Sequence, residues 1–290
     1  MNKIRKVIKA DRFGRLVILV LLVTVIFVWT VFFQKPNSNL HIFFFDVGQG
    51  DAILVQQKST QILIDGGPDN KILSKLGRAM PFYDKDIEYM LLTHPHSDHL
   101  SGLIDVIKNY HVKKIIMTDA VHTTSEYLEF LKQIKDKNIP TSMAKTGEKI
   151  SLENNVELDI LYPDKPVAQV DNLNNTSIVS QLKYDKFTVI FPGDAEKSIL
   201  DQLAQKYGNN LASNVLKVPH HGSKNGLSSS FFNKVSPELV IISVGKNNQF
   251  GHPSPQLLKF FENIKVLRTD EKGDIELETN GQNFWLKTQK

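Results

Sequence analysis

A chain of 290 residues is long enough for one large domain or two small ones, and its ordinary hydrophobic and charged fractions, 41% and 23%, exclude wholesale disorder. The formal net charge is +4, but the first fifteen residues hold six basic groups against Asp11 while the remainder holds 29 basic against 30 acidic. The basicity is therefore confined to the N-terminus and is no footprint for nucleic acid. Cysteine is absent, which excludes thiolate ligands, cysteine nucleophiles and disulfides.

Residues 16–33, LVILVLLVTVIFVWTVFF, contain no charge and no proline. Their number meets the roughly 17–20 apolar residues of a bilayer-spanning helix. Lys3, Arg5, Lys6, Lys9, Arg12 and Arg15 precede this stretch and only Lys35 follows closely. The positive-inside rule then predicts a cytoplasmic N-terminus at 1–15, one transmembrane helix at 16–33 and an extracellular remainder. The sequence FFQKPNSN at 32–39 offers no small-x-small cleavage site, so an uncleaved anchor in the lipid bilayer is expected. Residues 34–39 read as a linker and 40–290 as one domain.

Within that domain, strands are predicted at 41–46, 52–56, 61–65 and 89–93, then a helix at 99–110 and a strand at 113–117. A helix follows at 125–138, with Tyr127, Leu128, Leu131 and Ile134 on one face. Strands at 156–162, 177–184 and 187–191 precede a helix at 196–207 and a strand at 215–218. The tail alternates: strand 239–244, helix 255–263, then strands 265–268, 274–278 and 284–287. Helices mixed with hairpins throughout indicate an α/β sandwich rather than a purely parallel sheet.

Polar clusters follow the strands. Asp65-Gly66-Gly67 comes after one, and Thr93-His94-Pro95-His96-Ser97-Asp98-His99 after the next. Pro192-Gly193-Asp194 and Pro219-His220-His221-Gly222 come after two more. Strand ends in such folds gather at one edge, so four loops distant in sequence can converge. Histidine and carboxylate without cysteine suit zinc or manganese. Imidazoles crowd together without penalty when each gives a lone pair to a cation. His94 and His96 can face one ion, while Asp98 and His99, on the turn into the next helix, can reach a second.

The motifs FFDVGQGDAILVQ (44–56), LIDGG (63–67), THPHSDHLSG (93–102), NNTSIVSQLKY (174–184), FPGDAE (191–196), VLKVPHHGS (215–223), FGHPS (250–254) and RTDEKGDI (268–275) resemble, in order, those of the metallo-β-lactamase superfamily. Within it they are most similar to the soluble hydrolase domains of ComEC-type competence proteins. The resemblance covers roughly 40–290 and implies an αββα sandwich, here preceded by one transmembrane helix, with a dinuclear metal site at one edge. It implies His94 and His96 on one ion, Asp98 and His99 on the other, and Asp194 bridging both. The last ligand is His220 or His221, with His220 preferred. Asp65 would hold the ligand turn through hydrogen bonds.

One departure stands out. Most of the superfamily has a further histidine before the bridging aspartate, where this chain reads Asn174-Asn175-Thr176-Ser177; His111 and His122 lie too early to supply it. One ion is thus expected to be weakly held, with Asn175 and Ser177 as candidate metal or substrate contacts. Asp98 is expected to accept the proton of an attacking water and His252 to place or protonate the leaving group. Asp46, Gln49 and Asp51 are expected to shape the rim, and Lys224 to contact an anionic substrate. The resemblance to ComEC-type proteins favours a surface-anchored phosphodiesterase or nuclease acting on DNA or a cell-wall phosphodiester polymer. The alternatives are a hydrolase of carbonyl esters, lactones or lactams, and a non-catalytic metal-binding assembly subunit. A single helix cannot transport DNA, so a role in uptake requires a membrane channel partner.

Overall fold

The computed structural model describes residues 2–33 and 37–290, and within the first segment the side chains of 13–29. The chain divides into two compact units, Met1–Asn37 and Ser38–Lys290. The first contains helix α1 (Asn2–Phe33). Among the described residues no helix is long and apolar enough to cross a membrane. The expected span at 16–33 runs past the described side chains, which end in this helix at Trp29, and residues 34–36 of the expected linker also lie outside the described residues. The apolar residues from Leu16 to Trp29 are more than two-fifths exposed. Thr24 donates its hydroxyl to Val20 O at 2.8 Å, which satisfies that polar group on the helix surface.

The second unit begins with strands β1 (Leu40–Phe44), β2 (Ile53–Gln57) and β3 (Thr60–Ile64), then helix α2 (Lys71–Ala79) and strands β4 (Asp86–Ile87) and β5 (Tyr89–Leu91). Helix α3 (Ser97–Asn109), β6 (His111–Val112), β7 (Ile115–Met117), α4 (Ser125–Asp136) and β8 (Thr141–Met143) complete its first half. The second half runs β9 (Lys149–Ser151), β10 (Val156–Tyr162), β11 (Val179–Tyr184), β12 (Phe187–Phe191), α5 (Lys197–Tyr207), β13 (Val215–Lys217), α6 (Ser229–Val235) and β14 (Leu239–Ile242). Helix α7 (Pro255–Leu258), β15 (Lys265–Arg268), α8 (Thr269–Lys272), β16 (Ile275–Thr279) and β17 (Phe284–Thr288) close the chain.

Two mixed sheets result, ordered β17-β16-β1-β2-β3-β5-β7-β8 and β15-β14-β13-β12-β11-β10-β9. Alternation decides what each face buries. Leu40, Ile42 and Phe44 of β1 point into the layer between the sheets, where they join Leu158, Leu182, Val189 and Ile241 of the second sheet. Residues of opposite parity, such as Leu54 and Leu63, pack under Ile72, Leu103 and Phe130 of α2, α3 and α4. On the far side, Ile190, Leu216 and Val240 pack under Leu200, Phe231 and Leu257 of α5, α6 and α7. This is the four-layer α/β arrangement expected from sequence.

The first sheet is parallel from β3 through β5 and β7 to β8, as is the second sheet's run β12 to β15. Parallel strands end at the same edge, which brings the loops after β3, β5, β12, β13 and β14 together. One expectation needs correction. The buried face of α4 is Tyr127, Phe130 and Ile134, while Leu128 and Leu131 are 55% and 38% exposed. Tyr127, Phe130 and Ile134 keep the i, i+3, i+7 spacing, whereas Leu128 and Leu131 lie about 100° further round the helix.

Candidate metal centre

The loop after β3 is a turn in which Asp65 has φ 57°. Its amide donates to Leu91 O at 2.8 Å, and Gly66 N donates to His99 O at 2.7 Å, so turn and ligand helix are pinned together. A Cβ on Gly66 would collide with the backbone of Leu103, and one on Gly102 with Gly66 O, so neither position admits a side chain. The carboxylate of Asp65, fully buried, accepts from Thr93 N at 2.8 Å and Thr93 Oγ1 at 2.6 Å, and from His99 Nδ1 at 2.7 Å. The last of these bonds turns His99 Nε2 toward Asp194 Oδ2, 3.3 Å away. Thr93 Oγ1 also lies 3.1 Å from His94 Nδ1, leaving His94 Nε2 to face His96 Nδ1 at 3.0 Å and Asp194 Oδ2 at 4.0 Å.

Asp194 arrives from the second sheet. Gly193 before it has φ 58° and packs against Ser177, whose Oγ accepts from Asp194 N at 3.1 Å. Asp194 Oδ2 therefore stands between His94 and His99. His221 comes from the turn after β13, where His220 and His221 both adopt left-handed conformations, φ 50° and 52°. Two consecutive non-glycine residues there are costly and typical of functional turns. The reversal aims one ring inward and the other out. His221 is 1% exposed, donates Nδ1 to Ser243 O at 3.0 Å, and presents Nε2 3.2 Å from Asp98 Oδ2 and 3.4 Å from Asp194 Oδ2. His220 is half-buried beside Asn174 Nδ2 (3.4 Å) and Glu196 Oε1 (3.4 Å). The structure thus brings His221 into the cluster and leaves the preferred residue, His220, at its margin.

Three buried atoms test whether these residues suit a cation. His99 Nε2, His221 Nε2 and Asp194 Oδ1 have no hydrogen-bond partner, although carboxylate oxygens and imidazole nitrogens crowd around them. His94, His99 and Asp194 form one group of ligand atoms mutually within 4.8 Å, and Asp98, His99 and His221 another. Buried polar atoms without partners are rare and costly. Nitrogen and carboxylate donors aimed at a common volume fit a divalent metal, with Asp65, Thr93 and Ser243 fixing the imidazoles from behind.

The charges agree with that geometry. Burial, together with nearby His99, holds His94 well below the ordinary imidazole range. Burial would do the same to His99 and His221. Carboxylates outweigh it, chiefly Asp194 with Asp65 at His99, raising it well above its usual value. At His221 they are Asp194 with Asp51, and they push it up to about 10. Burial would raise Asp194 in turn, yet His221, His99 and Lys217 hold it well below the carboxylate range.

Other expected site residues fall elsewhere. Asn175 Oδ1 accepts from Glu196 N (3.0 Å) and its carbonyl accepts from Tyr162 OH (2.9 Å), so it braces a turn, and Ser177 Oγ accepts from Asp194 N. Lys224 is exposed. Asp46 and Gln49 order the neighbouring loops, Gln49 Oε1 accepting from Gly245 N at 3.2 Å. Asp51, expected at the rim, is 2% exposed and lies within the cluster against Lys217, His99 and His221. His122 approaches His96 with ring centroids 6.4 Å apart but accepts from its own neighbour, Thr123 N. His252 is partly buried, stacked on exposed Phe250 and edge-on to His220, with Nδ1 unpartnered. Sequence reasoning passed over Lys217, although a lysine inside the apolar run VLKVP is itself a signal, since lysine is almost never buried unpaired.

A family model described as the metallo-beta-lactamase superfamily matches residues 45–246. The chain belongs to that superfamily. Members usually bind divalent metals such as zinc, and with its histidine and aspartate groups this chain is a metallo-hydrolase of the superfamily. Two competence proteins are similar in sequence. "ComE operon protein 3" of Bacillus subtilis (strain 168) is 26% identical over 260 residues, 83% of this chain and 33% of that protein. "Competence protein ComA" of Neisseria gonorrhoeae is 26% identical over 248 residues, 83% of this chain and 32% of that protein. The chain therefore spans about a third of the length of these relatives. Among solved structures, the metallo-beta-lactamase fold protein YhfI from Bacillus subtilis superposes with a TM-score of 0.55 at 12% identity, over 86% of this chain and 100% of its own, a likeness of fold alone.

Proposed function

We propose that this metallo-hydrolase is a phosphodiesterase, a nuclease or an enzyme acting on another phosphodiester polymer, that works with two divalent ions, zinc or manganese. The observation that carries the reading is the position of Asp194, whose Oδ2 stands between His94 Nε2 and His99 Nε2 at 4.0 and 3.3 Å. On this reading His94 and His96 would hold one ion and Asp98, His99 and His221 the other, with Asp194 within reach of both. Paired ions supply the charge that lowers the pKa of water toward neutrality and neutralises the entering and leaving oxygens of an in-line displacement at phosphorus.

The protein's own groups divide the remaining work. Asp98 is the cluster carboxylate nearest solvent, its side chain 31% exposed, and is positioned to take a proton from the attacking water. Burial, with His220 and His221 adding to it, pushes His252 down to about 4, so at neutral pH it is uncharged. His252 therefore orients the leaving group by hydrogen bonding instead of protonating it as an acid. Helix α1 with its basic N-terminus supports an uncleaved single-pass anchor with the domain outside the cell. The likeness to competence proteins supports a role in DNA uptake or processing.

The test is metal-dependent hydrolysis of bis(p-nitrophenyl) phosphate against that of the lactam nitrocefin by the purified chain. Asp194→Ala is expected to lower the phosphodiester rate on the order of a thousandfold or more. Lactam or lactone turnover with a silent phosphodiester assay would replace this reading by that of a carbonyl-ester hydrolase.

A further inference from the structure

One residue interrupts the apolar run of β13. Lys217 is 1% exposed, and its ammonium pairs directly with Asp51 Oδ2. It also donates to Gly193 O at 3.3 Å and stands 3.8 Å from Asp194 Oδ1. A buried ammonium is costly unless carboxylates compensate it. The carboxylates that do so here also have the geometry of metal ligands. Asp51, Asp194 and His221 present ligand atoms within 4.8 Å of one another, and so do Asp51, Asp65 and His99. Among the described residues Asp51 Oδ1 has no hydrogen-bond partner, although His221 Nδ1 stands 3.5 Å from it, and Lys217 pairs with Oδ2, from which His99 Nδ1 is 3.9 Å away.

We propose that Lys217 is the built-in counter-cation of the centre: its ammonium holds Asp51 out of the ligand set and guards one edge of Asp194, limiting the divalent charge the site takes up. The inference rests on the metal-binding reading of the cluster and not on which bond is cleaved. A fixed positive charge a few ångströms from a shared carboxylate opposes every cation that approaches it. It also neutralises Asp51, whose carboxylate would otherwise attract a cation into the same pocket. Gly193 O keeps the ammonium in place, since that carbonyl belongs to the turn that carries Asp194. Lys217 is thus a positioning residue, acting through Asp51 and Asp194.

The experiment is a calorimetric titration of the full chain in detergent with Mn²⁺ and, separately, Zn²⁺, with bound metal counted by elemental analysis. Lys217→Met uncovers the Asp51 carboxylate and is expected to tighten binding about tenfold or more. Asp51→Asn leaves Lys217 with Asp194 as its remaining close carboxylate, so the ammonium competes with the ions and binding weakens by about the same factor. The double variant, with neither charge, returns toward the wild-type affinity. Lys217→Gln, which can still reach Gly193 O, takes the place of Lys217→Met if that variant does not fold, with the same sign expected. A merely structural ion pair would weaken binding in both single variants, and that result, or no change in either, overturns the proposal. Absence of binding by the wild-type chain would instead remove the metal-site reading on which it stands.

Discussion

Asp65→Asn isolates the role of the residue behind the cluster. Asparagine is nearly the same size as aspartate and tolerates the left-handed conformation at φ 57°, so the turn should survive. Its amide oxygen can keep the bond from Thr93 N, and Thr93 Oγ1 can reverse to accept from the new NH2. His99 cannot adapt so easily. Its Nδ1, now 2.7 Å from a carboxylate oxygen, would face an NH2 donor, so the ring must either lose the bond or move the proton to Nε2. The second choice removes the lone pair directed at the Asp194 side of the cluster. A hydrogen bond to a charged group is worth about 1.5–3 kcal/mol, corresponding to roughly 10- to 150-fold in affinity. The expected outcome is therefore a loss of divalent-metal affinity of about that size by calorimetric titration, with circular dichroism and melting showing the fold retained. Wild-type affinity in Asp65→Asn would refute the reasoning and reduce Asp65 to a turn former.

Four further outcomes follow, three from the same geometry and one from the N-terminal helix. His221→Ala should lower phosphodiester hydrolysis on the order of a thousandfold while His220→Ala retains most of it, and equal losses measured side by side would contradict the placement of the two rings. His99 and His221 are raised, the latter to about 10, so without metal both carry protons at neutral pH and ion binding must expel them. Affinity should accordingly rise with pH toward that value, with calorimetric enthalpies that depend on the buffer's ionisation heat; buffer-independent enthalpies would contradict this. In the metal-free protein the raised His221 stabilises the fold fully below its ordinary value of about 6.5, so thermal stability should decline as pH rises from there toward about 10. Finally, protease added to intact protoplasts should digest the domain if α1 anchors it outside, and full protection would reverse the orientation.

Much of the architecture was legible because periodicity records burial. The runs at 156–162 and 187–191 fold as strands with those bounds, and the ligand loops sit at strand ends as expected. What escaped was short or decided at a distance. Strands β8 and β9 have three residues each, too few for a period to show, and β8 sits at a sheet edge with no fully buried position. The choice between His220 and His221 depends on two left-handed residues whose cost is met by packing, Gly222 lying against Pro253 of the FGHPS loop. No local preference encodes that. In sequence DVGQGD looks like any polar loop, which places Asp51 at a rim; the pairing of β2 with β3 carries it under α3, where its amide donates to Asp98 O at 3.3 Å.

The charge pattern of the cluster explains why so many imidazoles can share one turn. Asp51, Asp65, Asp98 and Asp194 converge from four loops and two sheets, and that many carboxylates could not be buried together without cations. One cation is covalently fixed, as Lys217. The others are exchangeable: protons on His99 and His221 when no metal is present, divalent ions when it is. The histidines therefore crowd together because burial keeps His94 and His96 uncharged while His99 and His221 can hold either cation, and the carboxylates make both states affordable. Because the ligands come from loops of both sheets, binding also ties the two layers of the sandwich at their shared edge. Mass action then adds stability of about 4 kcal/mol when free metal exceeds the dissociation constant a thousandfold. Metal content should for that reason govern the thermal stability of the domain as strongly as any residue in its core.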